Sequence, residues 1–89
     1  PEAASAAQLD KNSIIISVTS KGQIVYGGKE IGVNGVRAIV RRLTTKEDMP
    51  VIVQADARIS VELYTKVHDE AVLAGATSIS LATAKGVGG

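Results

Sequence analysis

Residues 51–84, VIVQADARISVELYTKVHDEAVLAGATSISLATA, constrain the chain more than any other stretch. They read as strand, turn, helix, turn, strand. Residues 51–55 are apolar and largely β-branched, and Asp56 and Ala57 break the run. Ser60 is placed to cap the next helix, because its hydroxyl can accept a backbone N–H of the first turn. Ile59 and Tyr64 stand at the two ends of a hydrophobic staple. Tyr64, Val67, Ala71 and Ala74 recur at steps of three and four, which makes one helical face with Leu63 at its border. Gly75 lies just past that stripe, where a left-handed cap tolerates no Cβ without strain. Ile79 and Leu81 then alternate with Ser78 and Ser80, the pattern of a half-buried strand. Two strands joined by one helix through short connections predict a right-handed βαβ crossover.

The preceding chain adds two strands and a helix. In residues 13–19, SIIISVT, Ile14, Ile16 and Val18 share one face, while Ser13, Ser17 and Thr19 share the other with Ile15. Ser20, Lys21 and Gly22 predict a three-residue hairpin connection with Gly22 left-handed. The second strand returns over residues 23–26. Gly27-Gly28 reads as a bulge or turn, with residues 29–31 extending the same strand beyond it. Val36, Ile39, Val40 and Leu43 form an amphipathic stripe over residues 33–43, with Asn34 as the expected N-cap and Arg37, Arg41 and Arg42 on the solvent side. Residues 44–50 form a polar turn that ends at Pro50. Residues 1–12 read as an N-terminal linker, residues 13–84 as the domain, and residues 85–89 as a flexible tail.

The expected fold is therefore α+β: a two-layer ββαβαβ unit, with a four-stranded mixed sheet and both helices on one face. Its 89 residues allow one small domain, which buries about 60 to 65% of its unfolded surface. With no Phe or Trp, the core has to be built from Ile, Val, Leu and Ala. Such a modest core makes a stabilising partner chain plausible.

Several function classes are excluded. A net charge of +1 gives no field for nucleic acid or anionic membrane. The strands expected to be exposed carry Ser, Thr and Gln, not the aromatic platforms on which bases stack. There is no cysteine, and one histidine, His68, cannot make a metal site unaided. Glu62, Asp69 and Glu70 spread around their helix as a solvated surface, with Glu62 and Lys66 at pairing distance along it. Gly22 to Lys29 has the glycines but neither the spacing nor the Ser/Thr of a phosphate loop. No catalytic residue, metal or cofactor is expected, and no run reaches the roughly 18 apolar residues of a membrane helix. Asp56, at a strand end before a turn, is expected to bond nearby backbone N–H groups.

Ala55-Asp56 closing an apolar strand, Ala74-Gly75 closing a helix, and Leu81-Ala82-Thr83 in a last strand, in this order, resemble the periplasmic domain of the ExbD/TolR family. The likeness runs from about residue 13 to residue 83. It implies a non-enzymatic interaction module of a proton-motive-force-driven energy-transduction complex in biopolymer and protein transport. By that resemblance the chain is the periplasmic part of a bacterial inner-membrane protein. It would dimerise, sit with an ExbB/TolQ-like membrane subunit, and engage a TonB- or TolA-like protein. The proton-carrying Asp of the family lies in a membrane helix outside this sequence. The resemblance also gives Asp56 a part in engaging partners. The alternative is a small domain that binds cell-wall peptidoglycan, although such sites usually offer aromatic platforms.

A four-stranded sheet has two edges. The last strand, residues 77–83, carries no charge and no proline, so an edge there is poorly defended. That favours strand addition, giving a homodimer or a complex with an extended peptide. The candidate partner-binding residues are Asp56, the exposed-face residues Ile15, Val25 and Ile52, and Ser78 and Ser80 of the last strand.

Overall fold

A computed structural model describes residues 12–87. The elements are β1 (Ile14–Val18), β2 (Ile24–Tyr26), β3 (Lys29–Glu30), α1 (Gly32–Thr44), β4 (Val51–Asp56), α2 (Val61–Leu73) and β5 (Ile79–Ala84). They form one mixed sheet in the order β3-β2-β1-β4-β5. β1 pairs parallel with β4, β4 parallel with β5, and the β1–β2 and β2–β3 pairs are antiparallel.

The sheet has five strands, not the four expected. The difference arises at Gly27-Gly28, whose φ angles are +59° and +80°. Two successive positive-φ residues make the turn whose twist suits a two-residue hairpin. The chain therefore reverses between Tyr26 and Lys29, which are register partners, instead of continuing through a bulge. The other predicted hairpin has the expected form. Gly22 has φ +83°, its N–H donates to Thr19 O at 2.9 Å, and the Gln23 N–H donates to Thr19 Oγ1 at 3.1 Å.

Alternation in the strands sends one face inward. Ile14, Ile16 and Val18 of β1, Ile24 of β2, and Val51, Val53 and Ala55 of β4 are buried under Val36 and Val40 of α1 and Val67 and Ala71 of α2. α1 packs against β1 and β2, and α2 against β4. Both helices thus lie on one face, and Tyr26 packs beneath them.

Helix ends follow local chemistry, with one exception. Ser60 caps α2, its Oγ accepting the Leu63 N–H at 3.0 Å. The far end closes with paired bonds from Gly75 N–H to Val72 O and from Ala76 N–H to Ala71 O, the arrangement that a left-handed residue past the helix allows. Gly75 has φ +105°. In α1 the cap position is Ile31, with no side-chain bond, and the expected cap Asn34 lies inside the first turn. Gly32, at φ +71°, turns the chain into the helix two residues earlier than Asn34 would.

The helices are also joined by charge. Arg37 Nε and Nη2 donate to the two carboxylate oxygens of Glu70 at 3.1 and 3.0 Å. Arg37 and Glu70 therefore face each other between the helices and are not simply solvated surface. This planar two-bond geometry suits guanidinium and carboxylate.

Replacing Gly75 by Val is expected to cost about 1 to 2 kcal/mol, because a β-branched residue must adopt a left-handed conformation there. Urea unfolding of the 89-residue chain checks this, and Gly22→Val should act in the same direction. Unchanged midpoints for both would contradict the cap and hairpin assignments.

Candidate functional site

The two edges of the sheet differ. One edge is β3, two residues long and made of Lys29 and Glu30, a short charged strand of the kind that discourages pairing. The other is β5, six residues of sequence ISLATA with no charge. Among the described residues β5 pairs with β4 alone, and no strand lies on its outer side.

The ladder fixes which backbone groups face outward. Val51 N–H donates to Ser78 O and Ala57 N–H to Ala84 O, both at 2.8 Å. In a parallel pair, alternate residues direct both N–H and C=O to the same neighbour. The even-numbered residues Ser80 and Ala82 are therefore turned to β4. Ile79, Leu81 and Thr83 turn their N–H and C=O groups to the open edge. Their side chains lie on the helix-covered face, in register with Val51, Val53 and Ala55.

A shallow apolar groove of about 170 Å³ runs beside this edge, between β5 and the start of α2. Its walls include Ile59, Val61, Tyr64, Leu81 and Thr83. Leu81 is 48% exposed and Val61 80% exposed. The exposure of Leu81 is informative, since a large aliphatic side chain on the covered face of a sheet is normally buried. His68 sits further along the same flank of α2, its ring 5.9 Å from that of Tyr64, and remains partly solvated.

Asp56 anchors the end of the groove. Its carboxylate is fully buried and accepts four hydrogen bonds: Arg58 N–H at 2.9 Å, Arg58 Nε and Nη2 at 2.8 Å each, and Gly86 N–H at 2.9 Å. The first is the local turn bond expected of an Asp at a strand end. The Arg58 side chain is the chief cause that holds the Asp56 carboxyl well below the usual carboxylate range; its backbone N–H and that of Gly86 add to it, against the opposing effect of burial. The Gly86 bond ties the chain after β5 to the end of β4.

The other candidate residues fall on the uncovered face. Ile15 and Ile52 are register partners, Ile52 pairs in turn with Ser80, and Val25 pairs with Ser17. Ile15, Ile52 and Ser80 thus form one row across β1, β4 and β5, with Val25 set aside on β2. Ile15, Val25 and Ile52 are half-buried, and Ser78 and Ser80 are exposed. Asp56 is apart from this row and inaccessible to a ligand, so it can act on recognition only through the turn it holds. Sequence inspection overlooked Arg58, Gly86 and the groove. The pair Asp56–Arg58, two residues apart at a strand end, is the signal that could have pointed to the first.

Among the described residues no group of three or more His, Asp or Glu side chains converges to hold a metal ion, and no helix is long and apolar enough to cross a membrane.

The depressed Asp56 carboxyl predicts an acid-labile fold. A carboxyl whose folded value lies below its unfolded value stabilises above the unfolded value of about 3.9, and that contribution fades as pH falls further. The urea midpoint of the wild type should drop steeply below about pH 4. Asp56→Asn should be less stable at pH 6 and show a flatter acid limb. Parallel acid limbs would contradict the role given to Asp56.

No curated protein matches the chain significantly. A family model described as biopolymer transport protein ExbD/TolR matches residues 1–86, nearly the whole sequence. That family consists of non-enzymatic transport accessory proteins, anchored in the inner membrane and carrying periplasmic domains. The chain belongs to the ExbD/TolR family.

Proposed function

We propose that this chain is the periplasmic interaction module of a proton-motive-force-driven energy-transduction complex. It dimerises, works beside an ExbB/TolQ-like membrane subunit, and receives an extended segment of a TonB- or TolA-like partner. The observation that supports this reading is the uncharged β5 edge, with the N–H and C=O groups of Ile79, Leu81 and Thr83 turned outward beside an apolar groove. An extended segment would gain backbone hydrogen bonds from the edge. Alternate side chains of that segment would point to the groove, because neighbouring residues of a strand face opposite ways.

The same edge suits a second copy of the chain. Two β5 strands related by a two-fold axis meet antiparallel, and each presents the same outward groups to the other. Partner segment and second copy then compete for β5. The face bearing Ile15, Val25 and Ile52 supplies further apolar area for whichever chain docks.

Titration of the isotope-labelled 89-residue chain with the extended segment of a TonB- or TolA-like protein tests this. Shifts should concentrate on β5 and the start of α2. Thr83→Pro removes an outward N–H and leaves the β4–β5 ladder intact, so it should weaken binding by roughly tenfold, the worth of about one backbone hydrogen bond. Ser80→Pro removes an inward N–H and should instead lower the melting temperature. Shifts confined to the helices, or Thr83→Pro binding as well as wild type, would overturn the edge reading.

A further inference from the structure

Between the β1–β2 hairpin, Arg58 and the chain after β5 lies a polar cavity of about 230 Å³. We infer that this cavity is a carboxylate-binding site, built from Lys21 of the β1–β2 hairpin and Arg58 after β4, with Thr19, Ser20 and Gln23 in its walls. The inference does not rest on the edge reading, since it uses neither β5 nor the groove.

Charge and geometry select the ligand. Arg58 gives its Nε and Nη2 to Asp56, which leaves Nη1 without a protein partner among the described residues. The Arg58 side chain is 59% exposed, so its unused edge meets solvent. Lys21 belongs to none of the ion pairs among the described residues. Asp56 neutralises Arg58, and Lys21 leaves the cavity with one net positive charge. That matches a monoanion better than a dianion. A planar carboxylate also suits a guanidinium edge, while a flexible ammonium can approach from the side. The Ser20 hydroxyl and the Gln23 amide are neutral donors for the remaining lone pairs.

The cavity is held by structure on both sides. The hairpin is closed by the Gly22 N–H to Thr19 O bond and by the Gln23 N–H to Thr19 Oγ1 bond. Arg58 is fixed by Asp56, and Gly86, which also lines the cavity, is fixed by the same carboxylate. Of the two cations, Lys21 is the one without an anchoring ion pair among the described residues. Thr19 is 7% exposed, so the floor of the site is already desolvated.

The test is an amide-shift titration of the 89-residue chain at constant ionic strength. The probes are sodium acetate, acetamide as its neutral isostere, inorganic phosphate, and triglycine with a free or amidated C-terminus. Acetate should give saturable shifts at Ser20, Lys21, Gly22, Gln23 and Arg58, while acetamide gives none. Lys21→Gln should weaken acetate roughly fivefold, the scale of one exposed ion pair, without changing the urea midpoint. Free-acid triglycine binding tighter than acetate identifies a peptide terminus as the source, and the reverse order identifies a small free carboxylate. The inference is overturned if acetate shifts do not saturate, if Lys21→Gln binds as well as wild type, or if phosphate binds more tightly than acetate.

Discussion

Two helices cover less of this sheet than its width. α1 lies over β1 and β2, and α2 over β4, while β5 lies at the margin of their cover, with only Ile79 of its residues half-buried against the core. The chain has no Phe or Trp, and Tyr64 in the groove wall leaves Leu81 half exposed. Leu81 therefore occupies a covered-face position in register with the fully buried Val53, yet is half exposed. The open edge and the groove beside it both follow from this one packing constraint. At the opposite side the sheet is closed off by a two-residue charged strand, so the asymmetry lies in sequence as well as in coverage.

Asp56 joins the parts that meet at that edge. Its carboxylate holds the turn into α2 through the Arg58 N–H, and the chain after β5 through the Gly86 N–H. The end of the sheet, the start of α2 and the wall of the polar cavity consequently share one buried anion. A buried carboxylate is tolerable only when its lone pairs are met, and here four donors meet them. The Arg37–Glu70 bridge does related work between the helices at a more solvated site.

Much of this architecture was legible in the sequence, for reasons that are local. The Ser60 cap, the Gly75 cap and the Gly22 hairpin each depend on a residue type acting within a few positions of itself. The alternation of Ile14, Ile16 and Val18 gave the buried face of β1 in the same way. Gly27-Gly28 was ambiguous because one bulge and one tight turn use the same residues, and only the pairing of Tyr26 with Lys29 separates them. The candidate site was less legible. Ser80 lies on the edge strand, but its backbone faces inward, and the parity of a parallel ladder depends on register with β4. Arg58 and Gly86 meet at Asp56 from 30 residues apart in the case of Gly86, a closeness that only the fold creates.

Site-resolved amide hydrogen exchange along β5 tests the central claim most directly. In the free monomer, Ile79, Leu81 and Thr83 should exchange quickly and Ser80 and Ala82 slowly, because only the even-numbered amides are bonded to β4. When an extended partner segment or a second copy of the chain docks, the odd-numbered amides should become protected and the alternation should vanish. Odd-numbered amides that remain unprotected in a saturated complex would contradict recognition through this edge.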